Sequence, residues 1–182
     1  DSANNRLILA AGIDEDVKLL YVSLEGVSAE FPEIFPHCDG KHMDREGCIA
    51  LSYIYVHTDG DNWLENEGWL VNPDPCKWYG VKCDDDIVEK LRLPNNNLVG
   101  EFPSFFNRID FTVFSEELEE VDLGMNQISG LMPYFGSARK LDEVNLSHNR
   151  LNSFGSLELR ENFLGDLPDL EELDLSFNYA FG

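Results

Sequence analysis

The sequence predicts an α/β repeat solenoid closed at its front by a helical N-terminal cap. Two observations carry this prediction. Leucines and asparagines recur in one fixed order four times in the second half, and a segment dense in tryptophan and cysteine stands immediately before the first copy. A third observation bounds the size: 182 residues suffice for one domain with a small appendage. The chain divides accordingly into a helical N-terminal extension or arm over 1–43, a disulfide-containing cap over 44–86, and four repeats over 87–182 with no cap after them.

The repeats begin with VEKLRLPNNNLVGEFP at Val88, then LEEVDLGMNQISGLMP at Leu118, LDEVNLSHNRLNSF at Leu141 and LEELDLSFNYAFG at Leu170. Each reads L-x-x-L-x-L-x-x-N-x-aliphatic, with valine sometimes replacing leucine and Ala180 closing the fourth. The anchoring Asn96, Asn126, Asn149 and Asn178 lie 30, 23 and 29 positions apart. The unit is therefore about 23 to 24 residues, with insertions of about six in two copies. The L-x-L part is a short strand whose leucines turn into a stacked core, because successive strand side chains face opposite ways. The asparagine turns the chain inward, and its amide can satisfy backbone groups of the neighbouring coil that would otherwise be buried unpaired. Stacking such coils builds a parallel sheet along one face.

This is the leucine-rich repeat pattern. The extensions LVGEFP and ISGLMP resemble the L-x-G-x-x-P continuation of the plant-type, extracellular subclass. That resemblance implies a second short strand on the outer side of each coil and a right-handed superhelix. The third copy has Ser153 where the glycine would stand, and the fourth stops at the Gly182 position.

Upstream, CIALSYIYVHTDGDNWLENEGWLVNPDPCKWYGVKC resembles the N-terminal cap of the same proteins: a helix, a T-G-x-x-W turn, a second tryptophan, then C-x-W-x-G-V-x-C entering the first strand. The matching residues are Thr58, Gly60, Trp63, Trp69, Cys76, Trp78, Gly80, Val81 and Cys83, with one extra residue in the turn. The likeness runs from about Gly47 to Gly182. A cap answers a physical need, since the first coil of a solenoid has no neighbour on one side. An apolar helix and the rigid area of Trp63, Trp69 and Trp78 can cover that edge.

The cysteines are Cys38, Cys48, Cys76 and Cys83. Four cysteines allow three pairings, and close spacing favours Cys38 with Cys48 and Cys76 with Cys83. A zinc site is the rival reading, although it favours C-x2-C or C-x4-C pairs and the spacings here are ten and seven. Disulfides imply an oxidising compartment, either secreted or an organelle lumen. Cys76 with Cys83 would pin the cap to the first strand, with no C-x-x-C to mark a redox role.

In the first forty residues, NRLILAAGI and DVKLLYVSLEGV place apolar residues such as Val17, Leu20, Tyr21 and Leu24 at helical spacing, predicting one or two helices. Pro32 and Pro36 then break the pattern. The segment either extends the cap or forms an arm that docks on another subunit.

The formal charge of −22, from 13 basic and 35 acidic residues, excludes nucleic-acid binding, which needs clustered Lys and Arg. It equally disfavours anionic lipid. No apolar run reaches the length of about eighteen residues that would span a membrane. The chain starts at Asp1 rather than Met, so either a targeting peptide has been removed or the numbering begins inside a longer product.

His37, His42, His57 and His148 show no H-x3-H spacing, and no hydrolase elbow, Walker loop or dinucleotide fingerprint occurs. DGDNWLENEGW fails as a calcium loop, because Leu64 stands where the sixth position needs glycine. The sequence therefore points to no catalytic residue, no metal and no cofactor.

The richest surface is the strand face. Residues alternating with the leucines turn to the concave side: Lys90 and Arg92, Glu120 and Asp122, Glu143 and Asn145, Glu172 and Asp174. Glu120, Glu143 and Glu172 would stack at about 4.8 Å. Directly opposed like charges are destabilising, so this face either serves a cationic ligand or splays into screened solvent. Asn145 heads the only N-glycosylation sequon, NLS, where a glycan would obstruct the sheet. The last coil is expected to expose an apolar edge at FNYAFG, which further chain or another subunit would cover.

The expected function is non-catalytic protein recognition or scaffolding through this acidic face, with a basic protein partner. The alternatives are a structural accessory subunit bound to neighbouring subunits of a large extracellular or lumenal assembly, and an inhibitor of a secreted hydrolase. The resemblance implies relatives among receptor ectodomains and inhibitors of cell-wall-degrading enzymes.

Overall fold

The computed structural model describes residues 6–11, 18–23, 38, 40–43, 45–101, 114, 117–133, 135, 138–153 and 167–179. The chain forms two compact units, Asp1–Pro36 and His37–Gly182. In the first, strands β1 (Arg6–Ala11) and β2 (Lys18–Ser23) pair antiparallel, from Arg6 opposite Ser23 to Ala11 opposite Lys18. This corrects the expectation of helices for these segments. RLILAA and KLLYVS are short continuous apolar runs, a pattern that strand and buried helix share. Val17, Leu24, Pro32, Pro36 and His37 lie outside the described residues, as do Ala180 and Gly182 of the last repeat.

The second unit opens with helix α1 (Arg45–His57), which buries Gly47, Cys48, Leu51, Ser52, Ile54 and Tyr55 at three- and four-residue spacing. It stops at Thr58, whose backbone amide and hydroxyl both donate to the Ile54 carbonyl, and at Asp59, which takes the left-handed conformation (φ 60°) usual after a helix end. The helix end then meets the coils. Val99 N–H donates to the Thr58 carbonyl, and a Cβ at Gly100 would stand 2.1 Å from the His57 carbonyl oxygen. Only glycine admits that approach.

Three tryptophans and Tyr55 fill the space behind the helix. Trp69 lies 4.9 Å from Trp63 and 4.8 Å from Trp78 between ring centres, and Tyr55 lies 5.1 Å from Trp63. Each indole N–H donates to a backbone carbonyl: Trp63 to Thr58, Trp69 to Tyr79 and Trp78 to Asn72. Burial therefore leaves none of the three N–H groups unpaired. Cys38 is bonded to Cys48 and Cys76 to Cys83, with Cα separations of 5.5 and 5.6 Å. The zinc alternative is thereby removed.

Strands β3 (Val81–Asp84), β4 (Ile87–Arg92), β6 (Glu120–Asp122), β8 (Glu143–Asn145) and β10 (Glu172–Asp174) form one sheet in the order β10-β8-β6-β4-β3. It is parallel except for β3, which runs antiparallel to β4. A second, parallel sheet joins β5 (Val99–Glu101), β7 (Gln127–Leu131) and β9 (Arg150–Ser153). It includes the copy in which serine replaces glycine. Leu91, Val121 and Val144 form one core row of the larger sheet, fully enclosed, with Leu93, Leu123 and Leu146 beneath them.

The repeat asparagines link the coils. The Asn126 side-chain oxygen accepts from Asn96 N–H and Leu98 N–H, while its amide donates to the Leu93, Leu123 and Gly124 carbonyls. Asn149 repeats this toward Ile128, Leu123, Leu146 and Ser147, and Asn178 toward Leu151, Leu146, Leu175 and Ser176. Asn96 instead reaches back to the amide and carbonyl of Glu65. Among the described residues no helix is long and apolar enough to cross a membrane, and no group of three or more His, Cys, Asp or Glu could hold a metal.

Candidate functional site

The register brings all eight predicted face residues into two rows. Lys90, Glu120, Glu143 and Glu172 stand opposite one another in successive strands, and so do Arg92, Asp122, Asn145 and Asp174. The antiparallel β3 adds Lys82 beside Lys90, a cation the repeat pattern alone does not include.

The first row changes sign along its length. Arg92 grips Glu120 with two parallel hydrogen bonds from its guanidinium. Lys90 lies 3.6 Å from the same carboxylate and 3.1 Å from Glu119, and Lys82 bridges Glu89 at 2.9 Å. The Arg92 contact holds the Glu120 carboxyl below its ordinary range even though burial opposes this. Glu120 is thus an internally neutralised acid, unlike the two that follow it. Glu143 and Glu172 have no salt bridge among the described residues. Burial pushes the Glu143 carboxyl up, and the charges of Glu120, Glu172, Asp122 and Asp142 push it the same way.

The second row is tied into turns. Asp122 accepts from Gly124 N–H at 3.0 Å, Asn145 from Ser147 N–H at 3.0 Å, and Asp174 from Ser176 N–H at 2.9 Å. A side-chain oxygen bonding the amide two residues ahead is an Asx turn. The signal is visible in DLG, NLS and DLS. Hydrogen bonds from the Ser176 side chain and backbone hold Asp174 below its ordinary range, whereas burial raises Asp122. Asn145 also lies over Gly124, where a Cβ would come within 2.7 Å of its amide nitrogen, and it accepts from the Ser147 hydroxyl at 2.7 Å. The side chain of the one sequon is thus engaged within the sheet.

A third row escapes the leucine pattern. The residue before each ladder asparagine takes a left-handed backbone: Asn95 (φ 50°), Met125 (58°), His148 (53°) and Phe177 (56°). All four are exposed, Met125 at 59% and Phe177 at 73%. Asn95 and His148 are residue types that take that conformation readily, and Met125 and Phe177 are not. The signal in the sequence is this change from asparagine to bulky side chains at one repeat position.

The geometry defines a leucine-rich repeat solenoid: parallel one-turn coils, a leucine and valine interior, and an asparagine bonding each coil to the last. No family model matches the chain. Among curated proteins it is 29% identical over 181 residues to receptor-like protein kinase BRI1-like 3 of Arabidopsis thaliana, covering 73% of this chain and 15% of that protein. It is 34% identical over 113 residues to receptor-like protein 50 of Arabidopsis thaliana, covering 60% and 12%. Among solved structures it is similar to the leucine-rich repeat ectodomain of the Arabidopsis receptor kinase HAESA in complex with an IDA peptide hormone, with 26% identity, a TM-score of 0.53 and coverage of 73% and 21%. It is also similar to the ectodomain of the receptor kinase SOBIR1 of Arabidopsis thaliana, with 25% identity, a TM-score of 0.52 and coverage of 75% and 68%. In sequence and in fold the chain is thus similar to leucine-rich repeat proteins of the plant, extracellular type. Its two disulfides belong to an oxidising compartment, extracellular or lumenal. It spans 15% and 10% of the length of two of its receptor-kinase relatives, BRI1-like 3 and TMK4.

Proposed function

We propose that this chain is a non-catalytic protein-recognition module that binds a basic protein segment across the larger sheet, at Glu143 and Glu172. The observation that carries this is the register row Lys90, Glu120, Glu143, Glu172, in which the first acid is neutralised from within and the next two are not. Opposed, unneutralised carboxylates destabilise a sheet, and a cationic ligand would relieve that cost. The HAESA ectodomain supports the reading, since it is a leucine-rich repeat ectodomain solved with a peptide bound. In this reading α1, the tryptophans and Cys76–Cys83 act as the N-terminal cap of a right-handed superhelix, holding the recognition strands in register.

The test is selection of a displayed random peptide library on the immobilised chain. The enriched peptides should carry net positive charge, and their binding should weaken with added salt and fall at least about tenfold in Glu143→Lys and in Glu172→Lys. Enrichment without charge bias, or binding unchanged in both variants, would sink the proposal.

A further inference from the structure

The row Met125, His148, Phe177 has no role in the coil interior. The turn at this position is built by backbone bonds that ignore the side chain: Asn95 N–H donates to the Gly124 carbonyl, Met125 N–H to Ser147 and His148 N–H to Ser176, each at 2.9 Å. These rungs hold the row in line from coil to coil. Asparagine, present at Asn95, adopts the left-handed conformation more readily than methionine or phenylalanine. Met125 and Phe177, at a strained and exposed position, are therefore a local choice that folding does not call for. His148 and Phe177 stack with ring centres 4.1 Å apart and planes 14° from parallel, so they form one continuous aromatic pair across two coils.

The charge beside that surface is acidic. Asp174 lies beside the Ser147 hydroxyl and the His148 ring. Glu172 stands two residues before Asp174 on the same exposed strand. A ligand for the surface must place apolar area on the rings and positive charge over the carboxylates. An aromatic side chain supplies the first, and arginines on either side of it supply the second, since a guanidinium pairs with carboxylates.

We propose that Met125, His148 and Phe177 form a docking ridge for a protein segment that presents one aromatic side chain between arginines. This rests on the recognition reading above and extends it: the sheet acids select charge, and the ridge selects the anchor.

The test uses fluorescence anisotropy with the full chain and two synthetic nonapeptides, one with a single tryptophan flanked by arginines and one with alanine in its place. The tryptophan peptide should bind at least about tenfold more tightly to the native chain. That difference should vanish in Met125→Asn and Phe177→Asn, while both variants melt at or above the native temperature, because asparagine suits the turn. Equal binding of the two peptides, or an anchor preference retained in both variants, would overturn the ridge. If the alanine peptide binds and Glu143→Lys abolishes that binding, the sheet reading stands without the ridge. If neither peptide binds, both fall. Concentration-dependent dimerisation that Phe177→Asn abolishes would make the occupant a second copy and overturn the proposal as stated.

Discussion

The front of the second unit and its last described coil carry the same repeat chemistry in opposite surroundings. At the front, Trp69 and Trp78 are 2% and 1% exposed, and the neighbouring core row of Leu91, Val121 and Val144 is completely enclosed. One rung beyond, at the register position of Val144, Leu173 is 36% exposed, with Phe177 and Tyr179 above 70% nearby. The asparagines follow the same gradient, buried at positions 96, 126 and 149 and half-buried at 178. The repeat pattern fixes which way a side chain points. The neighbouring coil decides how much energy that direction yields, as expected for a stack with nearest-neighbour coupling.

The largest expected effect lies at the front. Trp69→Ala removes the ring that touches Trp63, Trp78 and Tyr55, and should cost about 4 kcal/mol in urea-monitored unfolding. A loss below about 1 kcal/mol would show that the aromatic cluster does not support the stack.

The asparagines give a paired measurement. Asn126→Ala strands the Leu93 carbonyl and the Asn96 and Leu98 amides and should cost about 3 kcal/mol, against about 1 kcal/mol for Asn178→Ala, whose partners water can reach. Equal costs would break the contrast between enclosed and open coils.

The smallest effect tests the acids. Glu143 has a folded-state pKa above its unfolded value, so ionising it weakens the fold as pH rises through that range and protonating it restores stability. Glu143→Gln should therefore raise stability at neutral pH and low salt by about 0.5 kcal/mol. The gain should disappear once acid protonates the carboxyl. A destabilised glutamine variant would mean that the carboxylate has a stabilising cationic partner.

Much of the coil arrangement was legible from the chain, because L-x-L and the asparagine report local strand and turn requirements that every coil shares. Cysteine spacing was similarly informative. The β1–β2 pairing was not, since RLILAA and KLLYVS lack a period that separates strand from helix. The bonding of Glu120 to Arg92 was also hidden. It depends on how two coils 28 positions apart line up across an insertion, so the acids looked equivalent until the register set one against two cations. The turn bonds of Asp122, Asn145 and Asp174 were readable in DLG, NLS and DLS, but the leucine alternation drew the same residues toward a ligand role.

Both covalent staples close short loops of ten and seven positions, and both lie ahead of β4. No disulfide ties one repeat to the next, so the coils are held by sheet and asparagine hydrogen bonds, ion pairs such as Arg92 with Glu120, and leucine contacts. Under mechanical tension the described turns can peel apart one at a time, while the stapled front keeps its shape as the seed for rewinding. The described coils thereby have the makings of a reversible spring anchored at the stapled front.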